Sequence, residues 1–249
     1  MTKACYVGVA GKARKVKKIY TGVANKARKV KKAYVGVGGK ARLFYSAEQK
    51  LGYYGTVTAL SQVRGYLAAT TVGSYGLFGG GQAATSSSSF STVDAYNASL
   101  VRSTPTALSQ ARGDLAATTV GSYGLFGGGQ VSSYFSTVDA YNASLVRSTP
   151  TALSQARSFL AATTVGSYGL FGGGRASSYF STVDAYNASL VRSTPTALSQ
   201  VRSYLAATTV GSYGLFGGGR ASSSSSYFST VDAYNASLVR STPTALSQA

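Results

Sequence analysis

The stretch TTVGSYGLFGGG ends at Gly81 and returns unchanged, ending at Gly129, Gly174 and Gly219. A chain that repeats itself this closely folds as copies of one small unit, because identical segments have identical local preferences and offer identical faces for burial. Phe78, Phe126, Phe171 and Phe216 mark the repeat at spacings of 48, 45 and 45, and Asp94, Asp139, Asp184 and Asp232 mark it at 45, 45 and 48. The unit is therefore 45 residues long, with three extra residues in two serine-rich loops.

Four strands fit inside it. LAATTV (67–72) and YGLFGG (75–80) flank Gly73-Ser74, a two-residue loop of the glycine-first type that closes tight hairpins. FSTVDAY (90–96) reads as a third strand, and after the turn NAS a fourth runs through LVRSTPTAL (100–108). We call them A, B, C and D. Pro105, Pro150, Pro195 and Pro243 fall in D. A proline has no N–H to give to a ladder, which predicts that D is the outer edge. The small AATT of strand A suits a crowded centre, and the glycines after Phe78 let backbone pack closely. They do not form a phosphate loop, since no Gly-Lys-Ser/Thr follows and no helical pattern begins.

Residues 6–47 carry a second repeat of 14 residues, in register at Tyr6, Tyr20 and Tyr34. Each unit sets a turn pair (Ala10-Gly11, Ala24-Asn25, Gly38-Gly39) between a Tyr/Val run and a basic run, which predicts short β-hairpins in a meander. Ala27, Val30 and Tyr34 also keep helical spacing, so a short basic helix over NKARKVKKAY is the alternative. Of 24 Lys and Arg, 13 lie in residues 1–42, which hold no acid; residues 43–249 carry the other 11 with six acids. The two segments have different jobs, with a boundary placed at 44/45. A basic block can neutralise phosphates. Here the tyrosines open each unit instead of interleaving with the bases, which favours docking or oligomerisation over nucleic-acid binding.

A hydrophobic strand ending in glycines, then VDAY, then an Arg just before the next inner strand (LSQARSFLAATTVGSYGLFGGG) resembles kelch repeats. The resemblance covers about 45–249 and lacks the Trp expected after the Tyr of strand C; Leu100–Ser103 stand there instead. It implies an all-β fold: a kelch-like β-propeller of four or five four-stranded blades, preceded by a small basic β-hairpin repeat segment. KLGYYGTVTALSQVR copies strand D ahead of the first complete blade, and ARLFYSAEQ is a candidate worn strand C. That early D-like strand could complete a last blade and close a ring; an open stacked array is the alternative. The basic YVGVGGKAR units joined to short serine-rich kelch repeats also resemble tail-associated proteins of phages and prophages of Gram-positive bacteria. This second resemblance implies a virion or extracellular assembly, made in the bacterial cytoplasm without a signal peptide.

Differences between the copies fall on one face. The A–B turn VGSYG and the C–D turn YNASLVRST are constant, whereas the D–A connection reads RGY, RGD, RSF and RSY, and the B–C loop begins with Gln82, Gln130, Arg175 or Arg220 after its glycines. Chain reversal at every strand puts those two varying connections together. The candidate ligand-binding set is therefore Tyr66, Asp114, Phe159 and Tyr204 at the tips, the constant Arg64, Arg112, Arg157 and Arg202 beneath or beside them, and Gln82, Gln130, Arg175 and Arg220. The alternative for the constant arginines is structural support of the blades. The single RGD at 112–114 is a poor integrin motif, because its sister repeats read otherwise. NAS at Asn97, Asn142, Asn187 and Asn235 is read as a turn.

No His and a single Cys, Cys5, leave little for catalysis, and the repeated aspartates sit alike, as structural elements do. The expectation is a non-catalytic binding protein without cofactor or metal. Its partners would be a bacterial cell-surface glycan or protein at the varying face, and tail or other assembly proteins, or further copies, through the N-terminal segment. No apolar run is long enough for a membrane-spanning helix. The competing readings are an intracellular scaffold that holds nucleic acid through its basic segment, and a propeller enzyme.

Overall fold

The computed structural model describes strands within 6–46 by their backbone, and residues 56–84, 88–221 and 227–248 in full. The chain divides into two compact units, Met1–Gly55 and Thr56–Ala249. No helix occurs among the described residues.

In the first unit β1 (Tyr6–Val9) pairs with β2 (Lys12–Lys15), β3 (Tyr20–Val23) with β4 (Lys26–Lys29), and β5 (Lys32–Val37) with β6 (Lys40–Ser46), all antiparallel. The registers Val9↔Lys12, Val23↔Lys26 and Val37↔Lys40 leave two residues for each turn, as the 14-residue pattern predicts; the turn pairs themselves lie outside the described residues. Among the described residues the hairpins form three two-stranded sheets, with no pairing that joins one hairpin to the next into the expected meander. The helical alternative is excluded: its first four residues past Asn25 are β4 and its last three belong to β5. The boundary expected at 44/45 falls inside β6.

The second unit is four copies of one antiparallel sheet. The first blade runs β7 (Ala68–Val72), β8 (Tyr75–Gly79), β9 (Val93–Tyr96) and β10 (Arg102–Ser103). The second runs β11 (Ala116–Val120), β12 (Tyr123–Gly127), β13 (Val138–Tyr141) and β14 (Arg147–Ser148). The third runs β15 (Ala161–Val165), β16 (Tyr168–Gly172), β17 (Val183–Tyr186) and β18 (Arg192–Ser193). The fourth runs β19 (Ala206–Val210), β20 (Tyr213–Gly217), β21 (Val231–Tyr234) and β22 (Arg240–Ser241). In each, strands pair in chain order with D outermost. D is only two residues long, far shorter than the expected 100–108, because the chain leaves the ladder before the proline that could not donate to it. The asparagine of NAS makes the turn: Asn97 Oδ1 accepts from the N–H groups of Ser99 and Val101.

The hydrophobic core lies between blades. Val72, Leu77, Val93 and Leu108 of the first blade pack with Leu115, Phe126 and Tyr141 of the second, and the set recurs at the next two junctions. Glycine makes this approach available: a Cβ at Gly79, Gly127 or Gly172 would lie 2.7–2.8 Å from the ring of Phe126, Phe171 or Phe216 in the following blade. Those phenylalanines stand edge-on to Tyr141, Tyr186 and Tyr234 at 6.0 Å, which completes the aromatic packing of each junction. Along the inner strands Thr70 meets Thr119, Thr118 meets Thr164 and Thr163 meets Thr209 through hydroxyl hydrogen bonds.

The connection into each blade is fixed by a buried ion pair. Arg64, Arg112, Arg157 and Arg202 donate from Nη2 to Asp94, Asp139, Asp184 and Asp232 at 2.6–2.8 Å, with both side chains fully buried. The same carboxylates accept from the N–H and hydroxyl of Ser61, Ser109, Ser154 and Ser199. A second arginine, partly exposed, approaches each carboxylate from strand D.

The result is an all-β, propeller-like stack of four four-stranded blades that does not close. Val72, Val120 and Val165 are buried, while Val210 on β19 is 57% exposed, with no further blade over it among the described residues. Among the described residues no fifth four-stranded sheet occurs: β5 and β6 make a two-stranded sheet of the first unit, and Ser61 and Arg64 of the early D-like stretch bind the first blade.

Removing one partner of a buried pair strands the other charge. We expect Arg157→Ala to cost about 3–5 kcal/mol in urea unfolding, and Arg192→Ala, which approaches Asp184 from the solvent side, to cost about 1 kcal/mol or less.

Candidate functional site

The D–A and B–C connections meet as the alternating chain direction requires. Gly65 bridges Gln82, Gly113 bridges Gln130, Ser158 bridges Arg175 and Ser203 bridges Arg220. The four tips form a row tied by main-chain hydrogen bonds: Asp114 N–H donates to the Tyr66 carbonyl, Phe159 to Asp114, and Tyr204 to Phe159, each at 2.9 Å. Tyr66, Asp114, Phe159 and Tyr204 all hold φ of 53–57°, a left-handed conformation that bulky residues avoid. Leu100, Leu145, Leu190 and Leu238 in the constant turn do the same, so the strain belongs to the fold. What is particular to the tips is that the side chain there changes from copy to copy.

At one end of the row the Phe159 and Tyr204 rings stack, with centroids 4.2 Å apart and planes at 28°. The Arg175 guanidinium lies 4.8 Å from the Phe159 centroid and that of Arg220 4.4 Å from Tyr204's, both within cation–π range. These two are the only arginines of the described residues 56–248 without a carboxylate in ion-pair contact. Further along, Gln130 Nε2 donates to Asp114 Oδ2 at 3.0 Å and Gln82 Nε2 to the same oxygen at 3.4 Å, while Ser158 donates to Gln130 Oε1. Tyr66 is the most exposed tip, at 68%.

Of the twelve sequence candidates, eight therefore gather on this face. The other four, Arg64, Arg112, Arg157 and Arg202, lie in the blades, bound to aspartate and to main-chain carbonyls such as that of Phe171, which Arg157 meets at 3.2 Å. A fully buried guanidinium has no surface to offer a ligand; these residues hold the D–A connection in place and so position the tips. The stack of Phe159 on Tyr204 and the guanidiniums over it were not anticipated, although the signal was present: both pairs occupy the same repeat position in adjoining copies. The serines of LSQ, which help hold the aspartates, were also missed. Among the described residues no cluster of His, Cys, Asp and Glu could hold a metal ion.

No protein-family model and no curated protein matches the chain.

Burial pushes the Asp114 carboxyl above the usual carboxylate range; the Gln130 hydrogen bond and the Arg175 charge oppose the shift without cancelling it. With its folded-state pKa raised, this group favours the fold below the ordinary carboxylate pKa, and that contribution is lost as pH rises through the raised value. Asp114→Asn, neutral throughout, should raise the melting temperature relative to the natural chain at about pH 7 and show no such advantage at about pH 3.

Proposed function

We propose that this chain is a non-catalytic binding protein of kelch-like build that holds acidic glycans of a bacterial surface against its varying loop face. The setting we propose is a tail-associated protein of a phage or prophage, with the basic hairpin segment attaching it to a larger assembly. The observation that carries the binding role is the Arg175–Phe159–Tyr204–Arg220 cluster. Flat aromatic faces take up the apolar face of a sugar ring, and guanidiniums give paired donors to carboxylate or phosphate substituents. Every other arginine of the described blades is matched to an aspartate, so the two over this stack are the positive groups left for an outside anion. The copies vary here and not at the opposite turns, which is how a repeated scaffold specialises one face.

The aspartates, the residues with the most chemical potential in the repeats, are occupied: each of the four in strand C is enclosed by two arginines and a serine. That engagement supports binding over turnover.

The test uses the full chain with polygalacturonate, a uronic-acid polymer, and neutral dextran, at high salt so that long-range attraction to the basic segment is screened. Binding to polygalacturonate and not to dextran is expected, and Phe159→Ala or Tyr204→Ala should weaken it by about tenfold or more. Equal affinity in the variants and the natural chain would remove the loop face as the site.

A further inference from the structure

The two ends of the blade stack are the two halves of a contact the chain already makes three times, and we propose that they join head to tail between copies of this chain. Blade four presents the socket half. Ala206, Ala207, Leu215, Gly217, Val231 and Leu246 line an apolar hollow of about 210 Å³. The equivalent sockets of the first three blades are filled by Leu115, Phe126 and Tyr141 and their counterparts. Blade one presents the plug half. Leu67, Phe78 and Tyr96 are only partly covered, whereas Leu115, Phe126 and Tyr141 at the same repeat positions are buried.

The match extends to each element of the junction. A Cβ at Gly124, Gly169 or Gly214 would meet a threonine of the preceding blade at 2.9–3.0 Å; at Gly76 it meets nothing within 4 Å. A Cβ at Gly73, Gly121 or Gly166 would lie 3.0–3.1 Å from an alanine in the next blade's turn, while at Gly211 it would meet nothing within 4 Å. The N–H groups of Gly81, Gly129 and Gly174 donate to the carbonyls of Arg112, Arg157 and Arg202 in the following blade. Gly219 has no such carbonyl within the chain among the described residues. In a second copy, Phe78 supplies the ring, Ala98 the turn contact and Arg64 the carbonyl.

The chain also carries the means of settling which segment fills the joint. TVTALSQ at 56–62 and TPTALSQ at 242–248 are the same element, and one junction has room for one of them. The first is anchored to its own blade by Ser61 and Arg64 on Asp94, by the Tyr96 hydroxyl on the Thr58 carbonyl and by Arg102 on that of Ala59. Among the described residues the second is held by one main-chain bond, Leu246 N–H to the Ser229 carbonyl, with Leu246 51% exposed where its counterparts are buried. Residues 242–248 therefore give way to 56–62 of the incoming copy. A heterologous contact of this kind propagates, giving a ring if the rotation closes and a filament if it does not.

The experiment blocks one end at a time in the full chain and reads mass by sedimentation over a concentration series. Gly217→Glu fills the socket, where an added Cβ makes only ordinary contacts, and Gly76→Glu projects from the plug face into open space. Val210→Glu, at an exposed side chain, is a second socket block that leaves the glycine intact. We expect the natural chain to sediment above monomer mass and each single variant as a monomer. An equal mixture of Gly217→Glu and Gly76→Glu should give a species of twice the monomer mass, because each variant keeps the end the other lacks. A mixture that stays monomeric overturns the proposal, as closure within one chain would produce. Single variants that associate as the natural chain does also overturn it, and place association in the hairpin segment or the loop face.

Discussion

The architecture depends on an aromatic ring lying against a backbone that has no side chain. At each of the three junctions the phenylalanine of the following blade lies against the position a Cβ on the glycine of the preceding blade would need, and this is what brings two sheets close enough to share a core. No blade has a core of its own. Val138, Leu125 and Leu153 of the second blade are buried only together with Leu160, Phe171 and Tyr186 of the third, so one unit alone would leave its apolar face in water. The junction, more than the sheet, is the unit of stability.

The buried arginine links this packing to the binding face. It comes from the connection that precedes a blade and ends on an aspartate in that blade's third strand, fastening a segment that would otherwise be a surface loop. The residue two positions on is the tip, held at positive φ and tied by its N–H to the tip before it. Tip side chains can therefore change, from tyrosine to aspartate to phenylalanine, over a backbone that does not. The strain at these positions is tolerated because the ion pair on one side and the inner strand on the other leave the backbone no alternative.

Much of this was legible in the sequence. Gly73-Ser74 fixed the first hairpin, the Asn97 turn the second, and Pro105 the outer position of strand D, each through a local constraint that needs no knowledge of neighbours. Constancy of one set of turns against variation of the other marked the face on which the tips, glutamines and two arginines gather. What was misread depends on partners far along the chain. Arginine is a surface residue by habit, and only its distance from an aspartate some thirty residues away shows that Arg157 is buried. Strand D shrank to two residues because the same proline that marked the edge also ends the ladder. Ring closure was not legible at all: identical repeats specify the contact between neighbours but not the angle at which contacts accumulate.

The central claim is that stability resides in the junctions, through the glycine that admits the phenylalanine. The most direct measurement compares urea unfolding of Gly127→Ala and Gly217→Ala, the same substitution in the same strand, at concentrations where the chain is monomeric. Gly127 faces the Phe171 ring of the next blade and Gly217 faces none. The account predicts a loss of about 1–3 kcal/mol for Gly127→Ala and a change within about 0.5 kcal/mol for Gly217→Ala. Equal losses at the two positions would show that the glycine serves its own strand, and would contradict the account.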